Sequence, residues 1–237
     1  MIMKLKTKNI DVTQQSISVL KNFSTINSSI MIREGSLLNT QSLGENIIAE
    51  YDCDEEFPQD FAVYELNQFL AGLSLFDTPT LDFQNDSYVT IKNTTARRSA
   101  KFFFSDEEMV KGASLPSKIR FPEQNVTAEF RITQKDLDSL SKAGSIYDLE
   151  DLKVEVTEDG NSTVTLVDLE NETNNTYSLH LQATCSQDTT VHFKVENIRL
   201  LPGDYDISLT DMAITRWKHC NLPLVYYIGI EPVEDDN

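Results

Sequence analysis

No stretch of the 237-residue sequence approaches the eighteen or so uninterrupted apolar residues that would cross a bilayer. Its start, MIMKLKTKNID, lacks the apolar run of a secretory signal. A cytosolic protein without membrane contact is expected. Without secretion, the triplets Asn22-Phe23-Ser24 and Asn125-Val126-Thr127 are a by-product of a composition rich in Asn, Ser and Thr rather than glycosylation sites. Cysteine is scarce: Cys53, Cys185 and Cys220 are odd in number, far apart and without a CxxC pair, which excludes a disulfide framework and fits buried, reduced thiols. Gly and Pro are too few for a fibrous or disordered chain. Basic residues are outnumbered, 20 Lys and Arg against 38 Asp and Glu, for a net charge of −18. That balance excludes general phosphate binding over the whole surface and leaves the distribution of charge to decide.

The fingerprints of catalysis are missing as well. There is no P-loop, nucleophile elbow or dinucleotide motif. His180, Cys185, His192, His219 and Cys220 match no standard zinc spacing, and His180 and His192 sit in strand patterns. Asp52, Asp54, Glu55 and Glu56 lack the spacing and the glycine of a calcium loop and read as a solvated loop. Trp217, beside Lys218 in an alternating strand, reads as packing rather than as a platform for a base. No metal or cofactor is expected.

What is present is one plan used twice. Residues 13–26, TQQSISVLKNFSTI, place Ile17, Leu20 and Phe23 or Ser24 at helical spacing behind Thr13, a candidate N-cap. Strand patterns follow: SSIMIRE, a turn at Glu34-Gly35, SLLNTQ and NIIAEYD. Residues 133–146, TQKDLDSLSKAGSI, repeat the helix with Leu137, Leu140 and Gly144 inward and a capping-box pattern in Thr133 and Asp136. LKVEVTE, a turn at Asp159-Gly160, STVTLVD and TYSLHLQAT follow it. Each half then holds a second helical piece, VYELNQFLAGLSLF at 63–76 and the segment from Lys194 that Pro202-Gly203 stops. The expected domains are 1–112 and 113–237, joined through a connector at 105–125 that mixes charge, Gly and Pro.

Charge follows the same plan. The four expected helical zones, with the basic leader, sum to a net positive charge, so the rest of the chain carries more than the whole −18. Gln14, Ser18, Lys21 and Thr25 form one stripe opposite Ile17 and Leu20, and Lys135, Ser139 and Lys142 form its counterpart in the second half, with Asp138 at its flank. Scattered lysines of this kind suit a surface that meets phosphates through water and reads no bases. The acidic exterior would repel nucleic acid elsewhere.

Four blocks carry a resemblance to a known family. LKNFSTINSSIMIREGS, FAVYELNQFLAGLSLF, ITQKDLDSLSKAGSIYDLEDLKVEV and LLPGDYDISL, in this order and spacing, resemble the sliding clamps, or polymerase processivity factors, of T-even-type tailed phages. The tail VYYIGIEPVEDDN is similar to the acidic end shared with proliferating cell nuclear antigen. The resemblance implies an α+β clamp fold: two similar domains, each with two helices packed on antiparallel sheets, three chains closing head to tail into a ring with helices lining the hole. It implies double-stranded DNA, a phage DNA polymerase, an ATP-driven clamp loader and late-transcription factors as partners, in the cytoplasm of the infected bacterial host, with no catalysis by the chain itself.

The DNA-facing positions it implies are Lys21, Lys142 and Arg199, to which spacing adds Lys135 and Lys194, and the leader adds Lys4, Lys6 and Lys8. Sheet edges in a ring need partners. The segment 97–105, with Arg97, Arg98, Lys101 and Phe103, is expected to pair with 175–184 of a neighbour, with Tyr177, Leu179 and Leu181. Partner proteins are expected near Met109, Val110, Val225, Tyr226 and Pro232. Two rival readings are an acidic adaptor or structural protein that never encircles DNA, and a metal-dependent enzyme built on the acidic loops.

Overall fold

Thr13 opens the first helix as an N-cap: its backbone is extended and its hydroxyl oxygen accepts the Ser16 amide at 3.1 Å. The structure, a computed structural model, describes residues 9–93, 97–110, 115, 117–171 and 173–231. The chain divides into two compact units between Lys118 and Ile119, inside the 105–125 segment.

In the first unit, β1 (Asn9–Asp11) leads into α1 (Gln14–Ile26), then β2 (Ile30–Ile32), β3 (Gly35–Gln41), β4 (Ile47–Phe57), β5 (Phe61–Val63), α2 (Leu66–Leu73), β6 (Thr80–Asp82), β7 (Tyr88–Lys92) and β8 (Ser99–Phe103). Ile17, Leu20 and Phe23 are buried as their spacing predicts, together with Ser16, Val19 and Ile26. The second helix is shorter than the 63–76 expected, because Val63 pairs with Ile30 and belongs to a strand. Leu66, Phe69, Leu70 and Leu73 form its buried face. Phe61 is the hub of this core, with its ring 5.0 Å from Phe104, 5.3 Å from Phe83 and 5.9 Å from Phe57. One antiparallel sheet runs β1-β6-β7-β8, which leaves β8 at its edge; β3 and β4 form a hairpin, and β2 pairs with β5.

In the second unit, β9 (Val126–Ile132) precedes α3 (Gln134–Tyr147), β10 (Asp151–Val156), β11 (Asn161–Val167), β12 (Tyr177–Cys185), β13 (Thr189–Lys194), β14 (Tyr205–Thr210), β15 (Ile214–His219) and β16 (Leu224–Gly229). These eight strands lie in the order β13-β10-β11-β12-β9-β14-β15-β16. The capping box of α3 is formed: the Thr133 hydroxyl accepts the Asp136 amide, and the Asp136 carboxylate accepts the Thr133 amide at 3.0 Å. Gly160 turns the β10–β11 hairpin at φ +86, where a side chain would be strained. Trp217 is core, with its ring edge-on to Phe193 at 5.7 Å and its Nε1 donating to Thr215 Oγ1 at 3.0 Å.

The fourth helix expected from Lys194 onward is absent. Strand β13 runs through Lys194, and a single 3-10 turn, Val195–Asn197, follows. Only seven residues separate β13 from Pro202, and a helix nucleus that short gains too few bonds to offset its ordering cost. Among the described residues the second unit therefore has one α-helix, against two in the first.

Two smaller expectations also change. Asp52, Asp54, Glu55 and Glu56 lie in β4 rather than in a solvated loop, and Glu55 is buried. Of the three free thiols only Cys53 is buried, where desolvation and the nearby Glu55 push it up to about 12; Cys185 and Cys220 are half-buried.

Candidate nucleic-acid interface

Alpha-helical period sorts α1 into two faces. Ser16, Ile17, Leu20 and Phe23 are buried, and Gln14, Ser18, Lys21 and Thr25 are all exposed. On α3, Lys135 and Lys142 are exposed and Ser139 half-buried, opposite Leu140, Ala143 and Gly144. Among the described residues, Lys21, Lys135 and Lys142 enter no ion pair. Their ammonium groups are left to water and to whatever anion approaches.

The hydroxyls beside them are spent within the helix. Ser18 donates to the Gln14 carbonyl at 2.8 Å, Ser24 to Lys21 at 2.8 Å, Ser139 to Lys135 at 2.8 Å and Ser145 to Ser141 at 3.0 Å. These faces offer lysine charge and few other free donors, an arrangement that attracts phosphate without reading bases.

The other expected cations differ. Lys194 ends a strand rather than standing on a helix, and its Nζ lies 2.6 Å from the Asp151 carboxylate, which is 6% exposed. That hydrogen bond and charge raise the Lys194 pKa and engage its charge internally. Arg199 is exposed after the 3-10 turn, with Nε donating to the Glu196 carbonyl at 2.8 Å. Lys4, Lys6 and Lys8 lie outside the described residues.

Both expected sheet edges are open on one side. Among the described residues strand β8 pairs with β7 alone, and Arg97 and Arg98 stand exposed before it. Lys101 sits 4.5 Å above the Tyr88 ring, and Phe103 is 65% exposed. Strand β12 pairs with β11 over Tyr177–Gln182 and with β9 at Ala183–Cys185, so among the described residues Tyr177, Leu179 and Leu181 lie half-buried on a stretch with one neighbouring strand. Met109 is exposed, and Val110 and Val225 are half-buried. Tyr226 is a correction: it is fully buried, its OH accepting the Leu201 amide at 3.0 Å, and burial drives its pKa up. Inward alternation on β16 puts it in the core, where no partner reaches it. Pro232 lies outside the described residues.

Sequence reasoning missed Glu55. The Thr13 amide donates to its Oε1 and the Ser16 hydroxyl to its Oε2, each at 2.6 Å. Burial alone would raise its pKa, but these bonds outweigh it and hold the carboxyl below the usual glutamate value. Period-two reading of YDCDEEF was the available signal, because it puts Tyr51, Cys53, Glu55 and Phe57 on one face, and all four are buried.

Solved structures identify the fold: the proliferating cellular nuclear antigen of Entamoeba histolytica superposes with a TM-score of 0.67 over 94% of this chain and 98% of that one, at 15% identity. The architecture is the clamp fold. In sequence, the sliding clamp of Vibrio phage KVP40 is 33% identical over 222 residues, 92% of this chain and 97% of that protein. The sliding clamp of Escherichia phage RB69 is 27% identical over 202 residues, 83% and 86% of the two chains. The family described as DNA polymerase processivity factor matches residues 13–107. This chain belongs to the sliding-clamp family of DNA polymerase processivity factors.

Proposed function

We propose that three copies of this chain close head to tail into a ring that encircles duplex DNA and tethers the replicative polymerase of a tailed phage. The observation that carries this is the placement of charge. Lys21, Lys135 and Lys142 stand exposed and outside any described ion pair on helix faces of a chain whose net charge is −18. Arg199 adds an exposed cation whose Nε is bonded to the Glu196 carbonyl, whereas Lys194 is engaged by Asp151. A ring held by topology needs only weak attraction to phosphate, and the tether raises the polymerase's effective concentration at the primer end.

Ring closure joins β8 of one chain to β12 of the next. Arg97, Arg98 and Lys101 meet acids across the joint, and Phe103 packs toward Tyr177, Leu179 and Leu181. Two unlike edges of one chain support a heterologous contact that closes by rotation. Met109, Val110 and Val225 take short apolar segments of partners. An ATP-driven loader opens the ring, late-transcription factors use it, and the chain, which works in the cytoplasm of the infected host, catalyses nothing itself.

Retention on circular against linearised duplex is the test. A ring stays on the circle and runs off free ends, and equal retention on both contradicts encirclement. Sedimentation supplies the second arm, with a trimer expected for the chain and a smaller mass for the triple charge reversal of Arg97, Arg98 and Lys101.

A further inference from the structure

A helix N-terminus is stabilised by nearby negative charge. The first turn of α3 supplies its own in Asp136, but the first turn of α1 has no acid. Glu55 provides it from β4. The carboxylate is 4% exposed, and each oxygen takes a donor from the first turn or its cap, the Thr13 amide and the Ser16 hydroxyl at 2.6 Å. Thr13 Oγ1 in turn donates to Ser16 Oγ at 3.0 Å and accepts the Ser16 amide at 3.1 Å, which closes a small network around the helix start. The stripe of Gln14, Ser18, Lys21 and Thr25 is exposed, away from this network.

We propose that Glu55 is a positioning residue for the DNA-facing helix, holding the start of α1 with a carboxylate placed behind it so that no acid stands on the surface presented to phosphate. The inference rests on the reading of α1 as DNA-facing. A carboxylate in the exposed first turn would also stabilise the helix start. It would also stand among the phosphates' neighbours and repel them. Behind the helix, the same charge is consumed by two donors and shielded by the chain.

The test moves the acid from back to front. Wild type, Glu55→Gln, Gln14→Glu, the Glu55→Gln/Gln14→Glu double variant and Lys21→Glu are compared by thermal unfolding, by amide exchange in α1 and by retention of the loaded ring on circular duplex. Glu55→Gln is expected to lower the unfolding midpoint and speed exchange in the first turn. The double variant is expected to regain part of the midpoint and yet lose retention roughly tenfold at about 0.15 M salt, because three copies add three negative charges to the lining. Where Glu55→Gln proves too unstable, Ser16→Ala removes one of the two bonds and keeps the exchange measurement usable. Unchanged exchange in both variants overturns the positioning role. A double variant that recovers stability and holds DNA as the wild type does overturns the reason for hiding the acid. If Lys21→Glu also holds DNA as the wild type does, the reading of α1 as DNA-facing fails with it, while the exchange result still decides the positioning role.

Discussion

Replacing Gly203 with alanine should loosen α3 without altering a single charge. A Cβ at Gly203 would lie 2.2 Å from His219 Nε2 and 2.7 Å from Cε1, well inside contact distance. The imidazole cannot yield cheaply, since it is buried, its Nδ1 accepts the Asn221 amide at 3.0 Å, its Nε2 faces the Pro202 carbonyl at 3.3 Å, and it packs edge-on to Tyr205 at 5.1 Å. Overpacking of this kind costs about 1–3 kcal/mol, and losing the Asn221 bond adds roughly 1 kcal/mol. About 2–4 kcal/mol is therefore expected, a fall of roughly 8–15 °C in the melting of the second unit. The shift also reaches α3, because the Gly203 amide donates to Gln134 Oε1 and the Asp204 carboxylate accepts the Gln134 amide at 2.8 Å. Calorimetry with amide exchange along α3 measures both effects. A second variant, Gly203→Ala with His219→Ala, makes room for the methyl and should slow α3 exchange again. A midpoint drop under about 2 °C would refute the steric argument.

Three further outcomes are expected. Lys142→Glu should weaken DNA retention and flatten its salt dependence with unfolding unchanged within about 0.5 kcal/mol, whereas Lys194→Met should destabilise the second unit by leaving buried Asp151 without its cation; identical profiles for the two would contradict the assignment. Glu55, held below the usual glutamate value in the folded chain, contributes stability that is complete above about pH 4.3 and is lost as pH falls through its depressed folded value, so acid titration of wild type and Glu55→Gln should converge in that window. Phe61→Ala empties the centre of a four-ring contact and should cost about 3–5 kcal/mol in the first unit, read by urea unfolding; a loss under about 1 kcal/mol would deny it that place.

Local chemistry made most of the fold legible. Thr13 and the Thr133–Asp136 pair announce helix starts because their side chains satisfy amides that the helix itself leaves open. Gly160 marks a hairpin because its backbone needs a positive φ. The missing fourth helix was not legible: the KVENIRLL segment contains helix formers, and its fate depends on β13 claiming the first residue and Pro202 closing the space. Lys194 and Arg199 read alike as cations, and only the fold reveals that Asp151 stands beside one of them. Tyr226 carries a hydroxyl that suits a surface, yet the inward register of β16 buries it. Glu55 was hidden by its acidic neighbours, which made an inward strand position look like part of a wet loop.

The unequal helix complement of the two units bears on how such a ring is handled. Where the first unit sets α2, the second sets one 3-10 turn, so the halves of a subunit are related by plan and not by shape. The three-chain ring proposed above would repeat every 120° and never every 60°. Machinery that gripped the proposed ring would therefore meet three equivalent stations, and a protein fitted to one kind of half would have no competing seat on the other.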